Sequence, residues 1–135
     1  MSSEVNPVIA RFLTQLAQTA NAKDHAAHMA LISKDLRVLG VPGFAALSYD
    51  DWFKQCAHEF ADNILKSVTF EFLRSRAGHD SQQMFIVKEI IEATDGTVVE
   101  HTAEMLIELE ADGNWRLRQE RILSAEEAEH LLKCS

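Results

Sequence analysis

Glu89, His101 and Arg121 are the residues of this chain whose types and spacing suit chemistry, with Gln119 two residues before Arg121. A carboxylate beside an imidazole can orient and charge it, as a general acid/base pair requires. A nearby guanidinium can stabilise an anionic intermediate or hold a substrate carboxylate through paired hydrogen bonds. The same groups can also form a structural network, with Arg121 pairing Glu89 and His101 filling space, or can simply contact a ligand. All three roles require the side chains to share one face of one sheet.

The elements that would position them lie in residues 66–123, which read as four consecutive strands of a curved sheet. Two turns set the register, Thr94-Asp95-Gly96 and Ala111-Asp112-Gly113. A two-residue turn would use Asp-Gly alone, whereas a three-residue loop puts Gly in the left-handed position of a bulge. The side-chain period is two, so a slip of one residue sends every side chain to the wrong face. The three-residue loops match faces. They set Phe85, Val87, Glu89 and Ile91 beside Met105, Ala103, His101 and Val99. Leu109, Ile107, Met105, Ala103 and His101 then fall beside Trp115, Leu117, Gln119, Arg121 and Leu123. A turn near Gly78-His79 brings Phe72, Phe70 and Val68 beside Phe85, Val87 and Glu89.

One face is thereby mainly apolar, and Glu89, His101, Gln119 and Arg121 converge on it. Buried polar groups are tolerated when they satisfy one another, and inside a hollow such a group is a site candidate. The other face carries Thr69, Glu71, Lys88, Glu100, Thr102, Glu104, Glu108, Arg116, Arg118 and Glu120. Ile86, Ile90, Leu106 and Ile122 share it, and apolar groups of that kind suggest a homodimer surface.

Helices must cover the apolar face. Asn6-Pro7 opens the first, as cap and first helical residue, and Asn21 ends it. A second runs from about Asp24 to Ile32, followed by a short strand, Leu36-Arg37-Val38-Leu39, and a break at Gly40-Val41-Pro42-Gly43. Ser48 caps a third helix, with Asp51 completing a short-armed capping box and Asn63 closing it in a left-handed conformation. Trp52 and Cys56 share a face of this helix. They can line a hollow together with Phe72, Phe85, Met105 and Gln119, the candidate ligand contacts, or belong to ordinary core. Ser124-Ala125-Glu126-Glu127 starts a short last helix ending near Lys133. The layout is α+β.

At 135 residues the chain has the size of a single domain, here residues 1–135. A formal charge of −8 argues against non-specific nucleic-acid binding, which rests on phosphate neutralisation. Cys56 and Cys134 have no metal spacing and read as reduced thiols. His25 and His28 sit three apart without a third ligand, and read as a solvated or capping pair. The start has neither a basic region nor a long apolar run, so no signal peptide, no membrane span and a cytoplasmic location are expected.

The element order, the break at Val41-Pro42-Gly43, the helix Tyr49-Asp50-Asp51-Trp52-Phe53 and the ending Asp112-Gly113-Asn114-Trp115-Arg116-Leu117 resemble the nuclear transport factor 2-like superfamily, and most closely its SnoaL-like branch. The resemblance covers nearly the whole chain. It implies a cystatin-like, cone-shaped α+β barrel, with three N-terminal helices against a strongly curved, mostly antiparallel sheet. It also implies a deep pocket for a small apolar or mixed-polarity ligand, and frequent dimers through the sheet. Superfamily functions range from cyclases, isomerases and dehydratases to non-catalytic binding modules. Ketosteroid isomerases of the superfamily use a Tyr on the first helix and an Asp at the end of the short strand. Here the first helix carries Thr14 and Gln15, and the strand ends in Leu39-Gly40, so that reaction is not expected. The expectations are a small-molecule-binding domain, a cofactor-independent lyase or isomerase using Glu89 and His101, or a dimerisation domain. None of them calls for a cofactor.

Overall fold

A computed structural model describes residues 6–133, so Cys134 lies outside the described residues. Helix α1 (Pro7–Asn21) begins where expected: the Val8 amide donates to Asn6 Oδ1 at 2.8 Å, and Pro7 supplies the first helical residue. Its apolar stripe, Ile9, Phe12, Leu13 and Leu16, is buried. Helix α2 (His25–Met29) starts at the Asp24 cap but is shorter than its sequence pattern suggests. The reason is tertiary. Strand β1 (Ile32–Leu39) begins at once, because Ile32 pairs with Leu117 and the Leu117 amide donates to the Leu31 carbonyl at 2.8 Å. The expected strand Leu36-Arg37-Val38-Leu39 is the second half of β1. A two-residue strand, β2 (Leu47–Ser48), precedes α3 (Tyr49–Ala61), whose capping box between Ser48 and Asp51 is complete. Asn63, at φ 52°, closes this helix in the left-handed region.

Four long strands follow: β3 (Leu65–His79), β4 (Gln82–Ala93), β5 (Val98–Leu109) and β6 (Trp115–Leu123). Helix α4 (Ala125–Lys133) ends the described chain. The sheet order is β2-β1-β6-β5-β4-β3, antiparallel except where β1 pairs with β6. Both Asp-Gly loops have three residues, with Gly96 and Gly113 at φ 92° and 85°. The β4–β5 register is as expected: Phe85 faces Met105, Val87 faces Ala103, Glu89 faces His101 and Ile91 faces Val99. Phe85, Val87, Ala103, Met105, Ile107 and Leu117 pack with the α1 stripe into one core, and Phe70 and Phe72 pack against it.

The structure corrects two registers. The β3–β4 turn falls at Asp80-Ser81, and two irregularities in β3, between Ser75 and Ala77 and between Phe72 and Arg74, each shift the register by one. Phe72 thus faces Val87, Phe70 faces Glu89 and Val68 faces Ile91, two residues from the expected pairing but on the same face. The second correction changes faces. In β5–β6, Ile107 pairs with Leu117 but Leu106 pairs with Gln119, leaving Arg118 as an extra residue in a β-bulge. An extra residue reverses the alternation beyond it and adds twist. Downstream, Ala103 faces Ile122, Glu104 faces Arg121 and Met105 faces Glu120. Glu120 and Ile122, expected outside, therefore belong to the cone, while Gln119 and Arg121 leave it.

The outer face is partly covered by the chain itself. Ala128 of α4 packs with Ile86 and Leu123, and Leu73 and Leu131 lie against them. Ile86 has no exposed surface and Ile122 faces inward, so neither contributes to a free outer face.

Candidate functional site

The concave side of the sheet and α3 enclose a cavity of about 690 Å³. Its walls are mostly apolar: Leu16 and Ala20 from α1, Val38 from β1, Phe60 from α3, and Leu65, Val68, Phe70, Ile91 and Ile122 from the sheet. Val41, Phe44 and Leu47 contribute from the segment between β1 and α3, which also supplies the exposed Phe44 ring.

Polar groups line the cavity on two sides: Asp51, Lys54, Gln55, His58 and Glu59 on α3, and three residues on the sheet wall. Glu89 on β4, His101 on β5 and Glu120 on β6 occupy three neighbouring strands, and all three line the cavity. Oε1 of Glu89 meets Nε2 of His101 at 2.7 Å. One ligating atom from each of the three residues lies within 4.8 Å of the other two. The hydrogen bond to Glu89 raises the His101 pKa above its ordinary value, against the opposing effect of burial. Glu120 is only 3% exposed, and its Oε2 has no hydrogen-bond partner. Burial pushes its carboxyl well above the usual carboxylate range, and the neighbouring Glu89 carboxylate adds to this.

A second polar group sits opposite, where α2 meets α3. His28 is 4% exposed rather than solvated. The Trp52 indole N–H donates to its Nε2 at 3.3 Å. Its Nδ1 lies 2.9 Å from Thr19 Oγ1, whose hydroxyl donates to the Gln15 carbonyl at 2.9 Å. This network fits a neutral imidazole carrying its proton on Nδ1. Burial, with His25 nearby, pushes the His28 pKa down to about 4. His25 points elsewhere, its Nε2 against the Phe53 carbonyl at 3.0 Å.

The residues singled out from the sequence thus separate. Glu89, His101, Trp52 and Cys56 line the cavity. The Cys56 thiol is pushed up to about 12 by burial and by Glu59 and Glu89, so it stands there as a protonated thiol. Phe72, Phe85 and Met105 belong to the packed core and do not line the cavity. Gln119 and Arg121 are corrections, both turned away by the bulge at Arg118. Arg121 forms ion pairs with Glu104 at 3.4 Å and Glu127 at 2.8 Å, and Arg76 reaches Glu104 at 3.1 Å. Glu120 and His28 were missed. The signal for Glu120 was the apolar spacing from Leu117 to Ile122, which changes parity in mid-strand; His28 carried none.

No family model matches the chain, and no curated protein matches it in sequence. Solved structures do match in shape. A nuclear transport factor 2-like protein from Cytophaga hutchinsonii has a TM-score of 0.71 at 17% identity, over 89% of this chain and 99% of that one. One of unknown function from Shewanella oneidensis has a TM-score of 0.70 at 14% identity, over 85% and 95%. A protein of the same kind from Streptomyces avermitilis, provisionally named a dehydratase, has a TM-score of 0.64 at 16% identity, over 84% and 91%. The fold is the nuclear transport factor 2-like cone.

Proposed function

We propose that this chain binds a small, largely apolar organic molecule in the cone and holds a polar group of that molecule against Glu89, His101 and Glu120. The observation that carries this reading is the cavity of about 690 Å³. That volume falls within the range common for ligand pockets, roughly 300–1,000 Å³. Apolar walls with a few convergent polar groups are the usual make-up of such sites. A purely structural or dimerisation role accounts for neither the space nor the buried polar groups.

The test is binding of a neutral apolar dye such as Nile red, compared between the natural chain and Cys56→Phe. Cys56 lines the cavity, so a phenyl ring there fills space that a ligand would use. The reading predicts dye binding at micromolar concentration that Cys56→Phe weakens at least tenfold while circular dichroism is unchanged. Equal binding by both proteins would place the dye elsewhere and remove the support.

The 2.7 Å contact between Glu89 and His101 favours a second reading, a SnoaL-like lyase or isomerase that moves a proton on the bound molecule. A provisionally named dehydratase among the structural neighbours is in keeping with it. A molecule recovered from the cone by native mass spectrometry would then exchange a proton with heavy water, and Glu89→Gln would abolish the exchange.

A further inference from the structure

We propose that Glu89, His101 and Glu120 form a binding site for one divalent first-row transition-metal ion on the sheet wall of the cone. The inference goes beyond the binding of an apolar molecule. It assigns the polar wall an occupant of its own.

The first argument is charge. Two carboxylates, from the strands on either side of β5, have ligating oxygens within 4.8 Å of each other, and Glu120 is only 3% exposed. Like charges at that distance cannot both ionise in a buried site unless a cation lies between them. The guanidinium expected to supply the charge is outside, since Arg121 is engaged with Glu104 and Glu127. His101 Nε2 lies 2.7 Å from Glu89 Oε1 and supplies a positive charge only when protonated. A divalent ion neutralises the pair in full and leaves His101 free to serve as a neutral imidazole ligand.

The second argument is the unpaired atom. Oε2 of Glu120 is buried without a hydrogen-bond partner, the only such side-chain atom among the described residues. A buried acceptor with no donor calls for an explanation, and an ion is one that also accounts for its neighbours.

The third is geometry. One ligating atom from each residue lies within 4.8 Å of the others, and the Glu89 and His101 atoms are 2.7 Å apart. With metal–ligand bonds of about 2.1 Å, that separation subtends an angle of about 80° at the ion. The value is near the right angle between adjacent ligands of a six-coordinate ion, and well short of the tetrahedral angle. Three ligands on one side of an open coordination sphere leave positions facing the cavity, for water or an oxygen of a bound molecule. Two carboxylates and one imidazole suit Mn2+, Fe2+, Co2+ or Zn2+; the imidazole disfavours Ca2+ and Mg2+.

The experiment uses the full chain, stripped with a chelator and dialysed. It is titrated with Zn2+ by calorimetry and with Co2+ by visible absorption, with Mg2+ as the control ion. The expected result is one ion per chain at micromolar or lower Kd, with d–d bands for Co2+ and a higher Tm with Zn2+. Glu120→Gln and His101→Ala should each weaken binding at least tenfold, in line with the loss of a ligand. His79→Ala should leave it unchanged, since His79 lies outside the cavity at the β3–β4 turn, where its Nδ1 accepts from the Ser81 amide at 3.2 Å. Failure of stripped protein that still binds Nile red to take up Zn2+ or Co2+ at millimolar concentration would overturn the site. The pocket would stand, with a proton shared between Glu89 and Glu120. Uptake unaffected by Glu120→Gln would also overturn it. Metal uptake without dye binding would keep the site and remove the apolar-ligand reading instead.

Discussion

Acidification between pH 6.5 and 4 should unlock the junction of α1, α2 and α3 through His28. In the folded chain this imidazole is buried, accepts from Trp52 and faces Thr19. Its pKa falls from 6.5 to about 4. A group that resists protonation in the folded state but not in the unfolded one makes stability depend on pH. The contribution is fully present above 6.5, the unfolded value, and is lost as pH falls toward the folded value near 4. At 1.36 kcal/mol per pH unit, the loss by pH 4 is about 3 kcal/mol. His25 is the titratable neighbour that shares in the effect, while the surrounding Trp52, Phe60, Thr19 and Leu16 are uncharged. The assay is urea unfolding of the natural chain and His28→Gln at pH 7, 5.5 and 4. Surface carboxylates titrate alike in both proteins, so the difference between the two isolates His28. That difference should shrink by about 3 kcal/mol from pH 7 to pH 4. Trp52 fluorescence, in a Trp115→Phe background, should change in step with it, because an imidazolium cannot accept from the indole. Parallel pH profiles for the two proteins would refute the reasoning.

Other consequences can be checked with single substitutions. Arg121→Ala should cost no more than about 1 kcal/mol in urea unfolding, because its ion pairs are partly exposed and Arg76 still serves Glu104. Nile red binding should be unaffected, and a loss would return Arg121 to the cone. Phe85→Ala removes a ring with no exposed surface from the core and should destabilise by about 3–5 kcal/mol; a cost under 1 kcal/mol would contradict the packing. Ser48→Ala breaks the capping box of α3 and should cost about 1 kcal/mol, read as a lower Tm.

Much of the fold was legible in the chain because it depends on local chemistry. Asn6-Pro7 and Ser48-Asp51 place helix starts through side chains that satisfy backbone amides a few residues away. The Asp-Gly loops and period-two alternation were enough to set Glu89 beside His101. What the alternation could not carry was a break in itself. The extra residue at Arg118 lies in a strand paired on both edges, with β5 on one side and β1 parallel on the other. The pairing with β1 is also irregular between Ile32 and Arg37. A bulge there bends the sheet, and the need for that bend arises from the packing of the whole cone rather than from the residues around Arg118. It exchanges Arg121 for Glu120, and so changes the site from a carboxylate, imidazole and guanidinium to two carboxylates and an imidazole. His28 follows the same logic: its spacing from His25 is that of any exposed pair, and only the approach of Trp52 on α3 and Thr19 on α1 buries it. The sequence by itself determined the four long strands, the starts of α1 and α3 with their caps, and the β4–β5 register. The tertiary structure decided which charges the cone encloses, because a one-residue offset in a strand costs little locally yet reverses every side chain beyond it.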